Sequence, residues 1–520
     1  MIKNIKWLLL VSLTFVACNN DDETVVTYDT ADGLPLTAGS ANFTKYVSLG
    51  NSLTAGYADG ALFKQGQTDS YTNILAQQFS LAGGGEFKIP FTNDNIGGLL
   101  VGGTQIQGPR LYFNGSGPVP VSGTPTTEVT NHLTGPFNNL GVPGAKSFHL
   151  VAPNYGNVAG LASGQANPYF VRFASTPSAT VLADAVAQSP TFFSLWIGNN
   201  DVLAYATSGG TGTNQTGNIN PATYGPNDIT DPNVFASVYN TLLDGTNGLT
   251  KNGAKGVVAN IPDVTSVPFF TTVPTNPIPG LPSGSAAQLN QLFGAINQIA
   301  AAGGLPSRFA TLVADDGNAA TVESNPLLII DETLPNLASS ITAVLSPTLG
   351  TPTATFLGNL YGRARHAKNA TGARDYILLT ARGVIGTTQA GAPSPFNTVG
   401  VSYPMQDGTT LTIAEVAEVK TATDAYNATI LSLANSKGLA FVDANTILKQ
   451  VASTGISANF VTVSSTYVTG GAFSLDGVHP SPRGYALIAN KFLEAINAKY
   501  GSNFKGANLG LSRILYPAML

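Results

Sequence analysis

The chain has 520 residues, 43% of them hydrophobic, enough to bury one large core or two modest ones. Charged residues make up only 10%, against a usual quarter or so, and Gly (57), Pro (32) and many Thr, Ser and Asn suit an exported protein with long ordered loops. A formal net charge of −5 excludes the basic footprint that nucleic acid requires.

The first residues have the pattern of a processing signal. Lys3 and Lys6 flank an apolar run, Trp7 to Ala17, that is too short to span a bilayer. It ends Phe15-Val16-Ala17-Cys18, which resembles a bacterial lipobox with Phe15 where Leu is usual. Residues 1–17 are therefore expected to be a lipoprotein signal peptide, Cys18 the lipidation site, and 18–42 a polar tether. The acidic Asn19-Asn20-Asp21-Asp22-Glu23 resembles tethers that route lipoproteins to the outer face of an outer membrane. The expected setting is thus outside the cytoplasm, with the membrane as a partner through the lipid. Cys18 is the only cysteine, so no disulfide and no thiol chemistry remain. No later stretch has the continuous apolar length of a transmembrane helix.

Beyond the tether, Tyr46 to Leu49 reads as a first strand ending in the turn at Gly50. Tyr71 to Leu81 has helical spacing of apolar residues. Residues 84–135 are rich in Gly, Pro and Thr with short β-like pieces such as Leu99-Leu100-Val101, and read as an insertion. Phe137 to Val142 is a second strand, Ala179 to Gln188 a helix, and Phe192 to Ile197 a third strand dense in aromatic and β-branched residues. Residues 207–231 form a low-complexity loop. Asn233 to Lys251 is expected as an amphipathic helix, Gly256 to Ile261 as a fourth strand, and Ala286 to Ala302 as another helix. A second insertion is expected over 303–411, mixing helix and strand. Ile413 to Ser436 is a long helix and Leu439 to Asp443 a fifth strand. Ser481 and Pro482 then signal the N-cap and first position of a last helix running to about Ala498, followed by an extension at 501–520. Strands alternating with helices imply a parallel sheet covered on both sides, here of five strands.

Four blocks carry the chemistry: Gly50-Asn51-Ser52-Leu53, Asn139-Leu140-Gly141-Val142-Pro143-Gly144, Gly198-Asn199-Asn200-Asp201 and Asp476-Gly477-Val478-His479. Serine needs a base to take its proton during attack, and Ser52 follows directly on a strand in a Gly-flanked turn (Gly50, Gly56). Of the histidines His132, His149, His366 and His479, only His479 sits three residues after an Asp, ahead of a capped helix. Asp476 in that position can orient the imidazole and stabilise its cation. Gly and Asn after strand ends suit an oxyanion hole, because a backbone N–H or a neutral amide donates without carrying charge.

In order and content these blocks resemble the SGNH (GDSL-type) serine hydrolase family. The resemblance implies a flavodoxin-like three-layer α/β/α sandwich over 43–500 and hydrolysis of carboxylic esters. It implies a triad of Ser52, Asp476 and His479, with oxyanion donors from the Ser52 and Gly144 N–H groups and the Asn200 amide. Asn51 stands where the family has Asp. An ester of lipid or acylated glycan is the expected substrate, as for a lipase or general esterase; a carbohydrate O-deacetylase, or a surface binding protein on a retained hydrolase fold, is the alternative. No cofactor is expected: the histidines and single Cys give no zinc spacing, Gly210-Thr211-Gly212 follows no strand, and Asp315-Asp316-Gly317-Asn318 lacks the spacing and terminal Glu of a calcium loop.

Overall fold

The computed structural model describes residues 29–318 and 320–520, so the expected signal peptide, Cys18 and the first part of the tether, 18–28, lie outside the described residues. Five strands, β1 (Tyr46–Gly50), β2 (Asn139–Gly141), β3 (Phe192–Trp196), β4 (Lys255–Ala259) and β5 (Ala440–Val442), form one sheet. Every pairing is parallel and the order is β2-β1-β3-β4-β5. The helices used below are α1 (Ser52–Ala55), α2 (Tyr71–Leu81), α3 (Val181–Ala187), α4 (Asn200–Thr207), α5 (Pro232–Leu242), α6 (Ser283–Ala302), α7 (Ala338–Leu349), α8 (Thr351–Tyr361), α9 (Ile413–Ser436), α10 (Ala444–Ser453) and α11 (Pro482–Tyr500).

The strands are apolar on both faces because both faces are covered. Side chains alternate with period two, so Tyr46, Phe192 and Trp196 point one way and Val47, Leu49, Phe193 and Leu195 the other. The first set packs with Tyr71 and Phe79 of α2 and Phe492 and Ile496 of α11. The second packs with Val181 of α3, Phe235 and Tyr239 of α5, and Tyr426 and Ile430 of α9. This is a mixed α/β architecture of three layers around an all-parallel sheet. Burial of each such Phe, Leu or Val contributes about 1.5–3 kcal/mol.

Three expectations shift. The helix expected over 233–251 stops at Leu242, because the Asp244 carboxylate accepts from the Thr246 and Asn247 N–H groups and turns the chain locally. α6 does not join the sheet layers. Its Leu289, Phe293 and Ile296 pack with Phe309, Ile341 of α7 and Leu357 and Tyr361 of α8 in a separate core. A further cluster of Val273, Ile278, Leu327, Ile329 and Met405 extends it. The second insertion is therefore a folded lobe over roughly 273–411, not one starting at 303. The expected strands Phe137–Val142, Phe192–Ile197, Gly256–Ile261 and Leu439–Asp443 are each trimmed at one or both ends. In the first insertion, Leu99–Val101 pairs with Thr104–Gln107, and Leu111–Phe113 with Pro118–Pro120.

The strand order reverses between β1 and β3. In open parallel sheets this reversal opens a crevice beyond the carboxyl ends of the strands, where ligands bind. Ser52 follows β1 and Asn200 follows β3, so both stand at that crevice.

Candidate active site

The turn after β1 is fixed before its serine is considered. Asn51 N-caps α1, its side-chain oxygen accepting from the Leu53 N–H at 3.0 Å. Its amide donates to the Asn199 side-chain oxygen at 3.2 Å. An Asp at position 51 would present a second acceptor to that oxygen; the pairing with Asn199 explains how Asn serves there. Glycine is required on either side for packing. A Cβ on Gly50 would lie 2.2 Å from the Thr54 hydroxyl and 2.4 Å from the Trp196 carbonyl. Gly56, at φ +86°, would meet the Gly66 carbonyl at 2.5 Å. Both glycines are set by close packing against neighbouring backbone and side chains.

Ser52 is 7% exposed. His479 Nε2 lies 2.9 Å from Ser52 Oγ, and His479 Nδ1 lies 2.8 Å from Asp476 Oδ2. Ser52, more than four hundred positions before Asp476 and His479 in the sequence, forms one continuous relay with them. Asp476 is held from all sides. Oδ1 accepts from the Val478 N–H (2.9 Å), the His479 N–H (2.8 Å) and the Ser474 hydroxyl (3.1 Å), and Oδ2 accepts from the Gly60 N–H (3.0 Å). Burial pushes its carboxyl up, but the His479 charge and these hydrogen bonds outweigh it and set the carboxyl at about 2.

A set of residues outside the four blocks clasps this loop. The Asp59 N–H donates to Ser474 Oγ (2.9 Å) and Asp59 Oδ1 accepts from the Leu475 N–H (2.8 Å). The Tyr485 hydroxyl donates to the Tyr57 carbonyl at 2.7 Å. The Tyr57 ring packs on the His479 imidazole, centroids 4.5 Å apart, and its hydroxyl accepts from Gln107 of the first insertion. Asp59 Oδ2 is buried without a partner, and burial, with Asp476 nearby, pushes its carboxyl up to about 7. No motif marks Tyr57, Asp59 or Ser474, because their partners lie far away in sequence. The one local signal is an Asp-Gly pair after an aromatic residue, which any turn could have produced.

The donors expected for an oxyanion separate from their neighbours. Gly141 is a packing glycine: a Cβ there would lie 2.3 Å from the Ala55 nitrogen, and its N–H is taken by Asn139 Oδ1 at 2.9 Å. Gly144 adopts φ +81°, and a Cβ there would meet only the Asn167 amide, at 3.9 Å. Among the described residues, neither the Gly144 N–H nor the Ser52 N–H has a protein acceptor. The Asn200 amide donates one N–H to the Ala145 carbonyl at 2.9 Å, which ties it to the Gly144 turn and leaves its second N–H. Asp201, fully buried, anchors that turn by accepting from the Ser147 N–H (2.8 Å) and hydroxyl (2.7 Å). Asn139 links β2 to α1, donating to the Thr54 carbonyl at 2.9 Å.

His132, His149 and His366 lie apart from this relay. The His132 ring meets the Ala174 carbonyl, while His149 and His366 accept backbone N–H groups; burial pulls the latter two down to about 4.

Ser52, Asn200 and His479 open on a cavity of about 120 Å³ whose wall is almost entirely apolar. Trp196, Val267, Ile447, Val451 and Leu487 line it, with Lys491 the single charged side chain apart from the triad. Such a set can accept a serine proton, stabilise a developing oxyanion and hold a hydrocarbon chain. No model of a known protein family, no curated protein and no solved structure matches the chain.

Proposed function

We propose that this protein is a serine hydrolase of the SGNH type that cleaves carboxylic esters of hydrophobic acids. The observation that carries the reading is the Ser52–His479–Asp476 relay at 2.9 and 2.8 Å, opening on an apolar cavity. His479 removes the Ser52 proton as Ser52 attacks the ester carbonyl. The Ser52 and Gly144 N–H groups and the free Asn200 N–H receive the oxyanion, each donor being worth about 3–4 kcal/mol. His479 then protonates the leaving alcohol, and water repeats the sequence on the acyl-enzyme. The strand order β2-β1-β3-β4-β5 supports a flavodoxin-like reading of the sandwich, with the site at its β1/β3 switch point.

The cavity wall favours a lipase or esterase over an O-deacetylase. An acetyl group would leave most of that apolar surface uncovered, whereas a chain of several carbons removes it from water at about 25 cal/mol per Å². Export and a lipid anchor on Cys18 complete the proposal and would place the enzyme at a membrane.

A fluorophosphonate probe tests it. Covalent labelling of the wild type that disappears in Ser52→Ala is the expected result. A folded wild type that is never labelled removes Ser52 as a nucleophile and leaves a binding role for the cavity. For the anchor, Cys18→Ser is expected to move the protein from the membrane to the soluble fraction; unchanged membrane association rejects it.

A further inference from the structure

Three carboxylates meet where the 273–411 lobe joins the sheet layers, away from the triad. Glu332 follows the strand Leu328–Ile330, Asp407 opens the turn Asp407–Thr409, and Glu415 lies in the first turn of α9. One oxygen from each lies within 4.8 Å of the others. At that spacing three negative charges repel one another, and nothing nearby cancels them. No salt bridge among the described residues reaches any of the three. Arg365 is committed to Asp331 and Asp375, and Arg363 donates to the Glu332 backbone carbonyl.

The oxygens are also without donors. Glu332 Oε2, Asp407 Oδ1 and Glu415 Oε1 are buried and accept no hydrogen bond. Glu415 is only 3% exposed. Its other oxygen accepts from the Thr412 N–H at 2.6 Å. The Thr412 hydroxyl, on a fully buried residue, has no partner either. A Cβ at Gly210 would lie 2.0 Å from Glu415 Oε1, so only glycine lets that turn press against the carboxylate. A buried polar atom left unpaired is costly, and native structures hold few of them without a reason such as an ion. Here each of the three clustered carboxylates has one such atom.

We propose that Glu332, Asp407 and Glu415 bind one hard divalent cation of the calcium type, which fastens the lobe to α9. The donor set is all oxygen, with no nitrogen or sulfur, which selects the calcium, magnesium and manganese class over zinc or copper. Calcium tolerates an irregular shell completed by a hydroxyl, backbone carbonyls and water, whereas magnesium demands a regular octahedron. With no cation present, burial followed by repulsion from Glu332 pushes Asp407 up to about 7, and burial pushes Glu415 up to about 8. The more exposed trio Asp315, Asp316 and Glu323, in which Glu323 is half-buried, differs: Asp315 and Asp316 accept from loop N–H groups and Asp316 and Glu323 from the Thr321 hydroxyl.

The test uses the purified chain, stripped with EDTA and returned to metal-free buffer at neutral pH. Calorimetric titration with calcium chloride is expected to show one site per chain, and millimolar calcium to raise the melting temperature. Glu332→Gln and, separately, Asp407→Asn are expected to weaken calcium binding at least tenfold, while Asp315→Asn binds as the wild type does. Absence of heat and of any melting shift with calcium, magnesium and manganese overturns the proposal. So does a calcium response that survives in both Glu332→Gln and Asp407→Asn but disappears in Asp315→Asn. Because the readouts are binding and melting, the result stands apart from the catalytic reading.

Discussion

Asp476 and the Glu332–Asp407–Glu415 cluster are both carboxylates withdrawn from water, under opposite conditions. Asp476 accepts from three backbone N–H groups and a hydroxyl and faces His479, and its carboxyl sits at about 2. The cluster has an orphan oxygen on each member, and two of its carboxyls rise to about 7 and about 8. The His479 charge and the backbone dipoles arranged around Asp476 together keep it charged. The cluster lacks such dipoles and can keep its charge only by sharing protons or taking a cation.

Substitutions on the Asp476 side should have the larger effects. Asp476→Asn keeps the shape but removes the charge that selects the His479 tautomer, and is expected to lower kcat by roughly 10⁴ with the fold intact. A drop of less than tenfold would mean that Asp476 does not orient His479. Asn200→Ala removes one oxyanion donor and is expected to lower kcat by roughly 10²–10³ with little change in KM. An equal loss carried entirely by KM would place Asn200 in ground-state binding instead.

The pH dependence of stability should separate the two regions next. Asp476 has its folded value below the unfolded 3.8, so its contribution is present above that pH and is lost as the pH falls through about 2. The shift corresponds to about 2 kcal/mol. Asp407 and Glu415 have folded values above the unfolded 3.8 and 4.5, so metal-free protein loses their contribution progressively as the pH rises from those values through about 7 and about 8. Melting curves in EDTA should therefore fall over that range, and calcium should flatten the fall. A metal-free curve that is flat from pH 5 to 9 would contradict the reading of the cluster. The smallest expected effect is at Asp59, whose buried orphan oxygen resembles the cluster in miniature. Asp59→Asn keeps the acceptor for the Leu475 N–H and is expected to stabilise the protein above pH 7 by about 1 kcal/mol. Unfolding in denaturant at pH 8 measures it, and a destabilised variant would show that the Asp59 charge is needed.

The same contrast separates what the sequence revealed from what it hid. The strands were legible because a doubly covered parallel sheet leaves nearly continuous apolar runs, as at Phe192 to Trp196, broken only by Ser194. The last helix was legible from its cap, since the Ser481 hydroxyl accepts from the Gly484 N–H as its position before Pro482 suggests. The triad could be placed because each member falls in a short local pattern. The lobe boundary could not, because α6 has apolar residues at helical spacing whichever core they face. The clasp of Tyr57, Asp59 and Ser474 and the acidic cluster were hidden for a related reason. Each is assembled from segments far apart in the chain, and no spacing within one segment records the meeting.

The central claim is an acyl-enzyme on Ser52. Its most direct test is hydrolysis of p-nitrophenyl esters from acetate to palmitate by the purified chain beside its Ser52→Ala variant. Turnover is expected to vanish in Ser52→Ala and, in the wild type, to improve as the acyl chain grows beyond acetate to fill the apolar cavity. Equal turnover by both proteins, or silence from both folded proteins across the whole series, would contradict it.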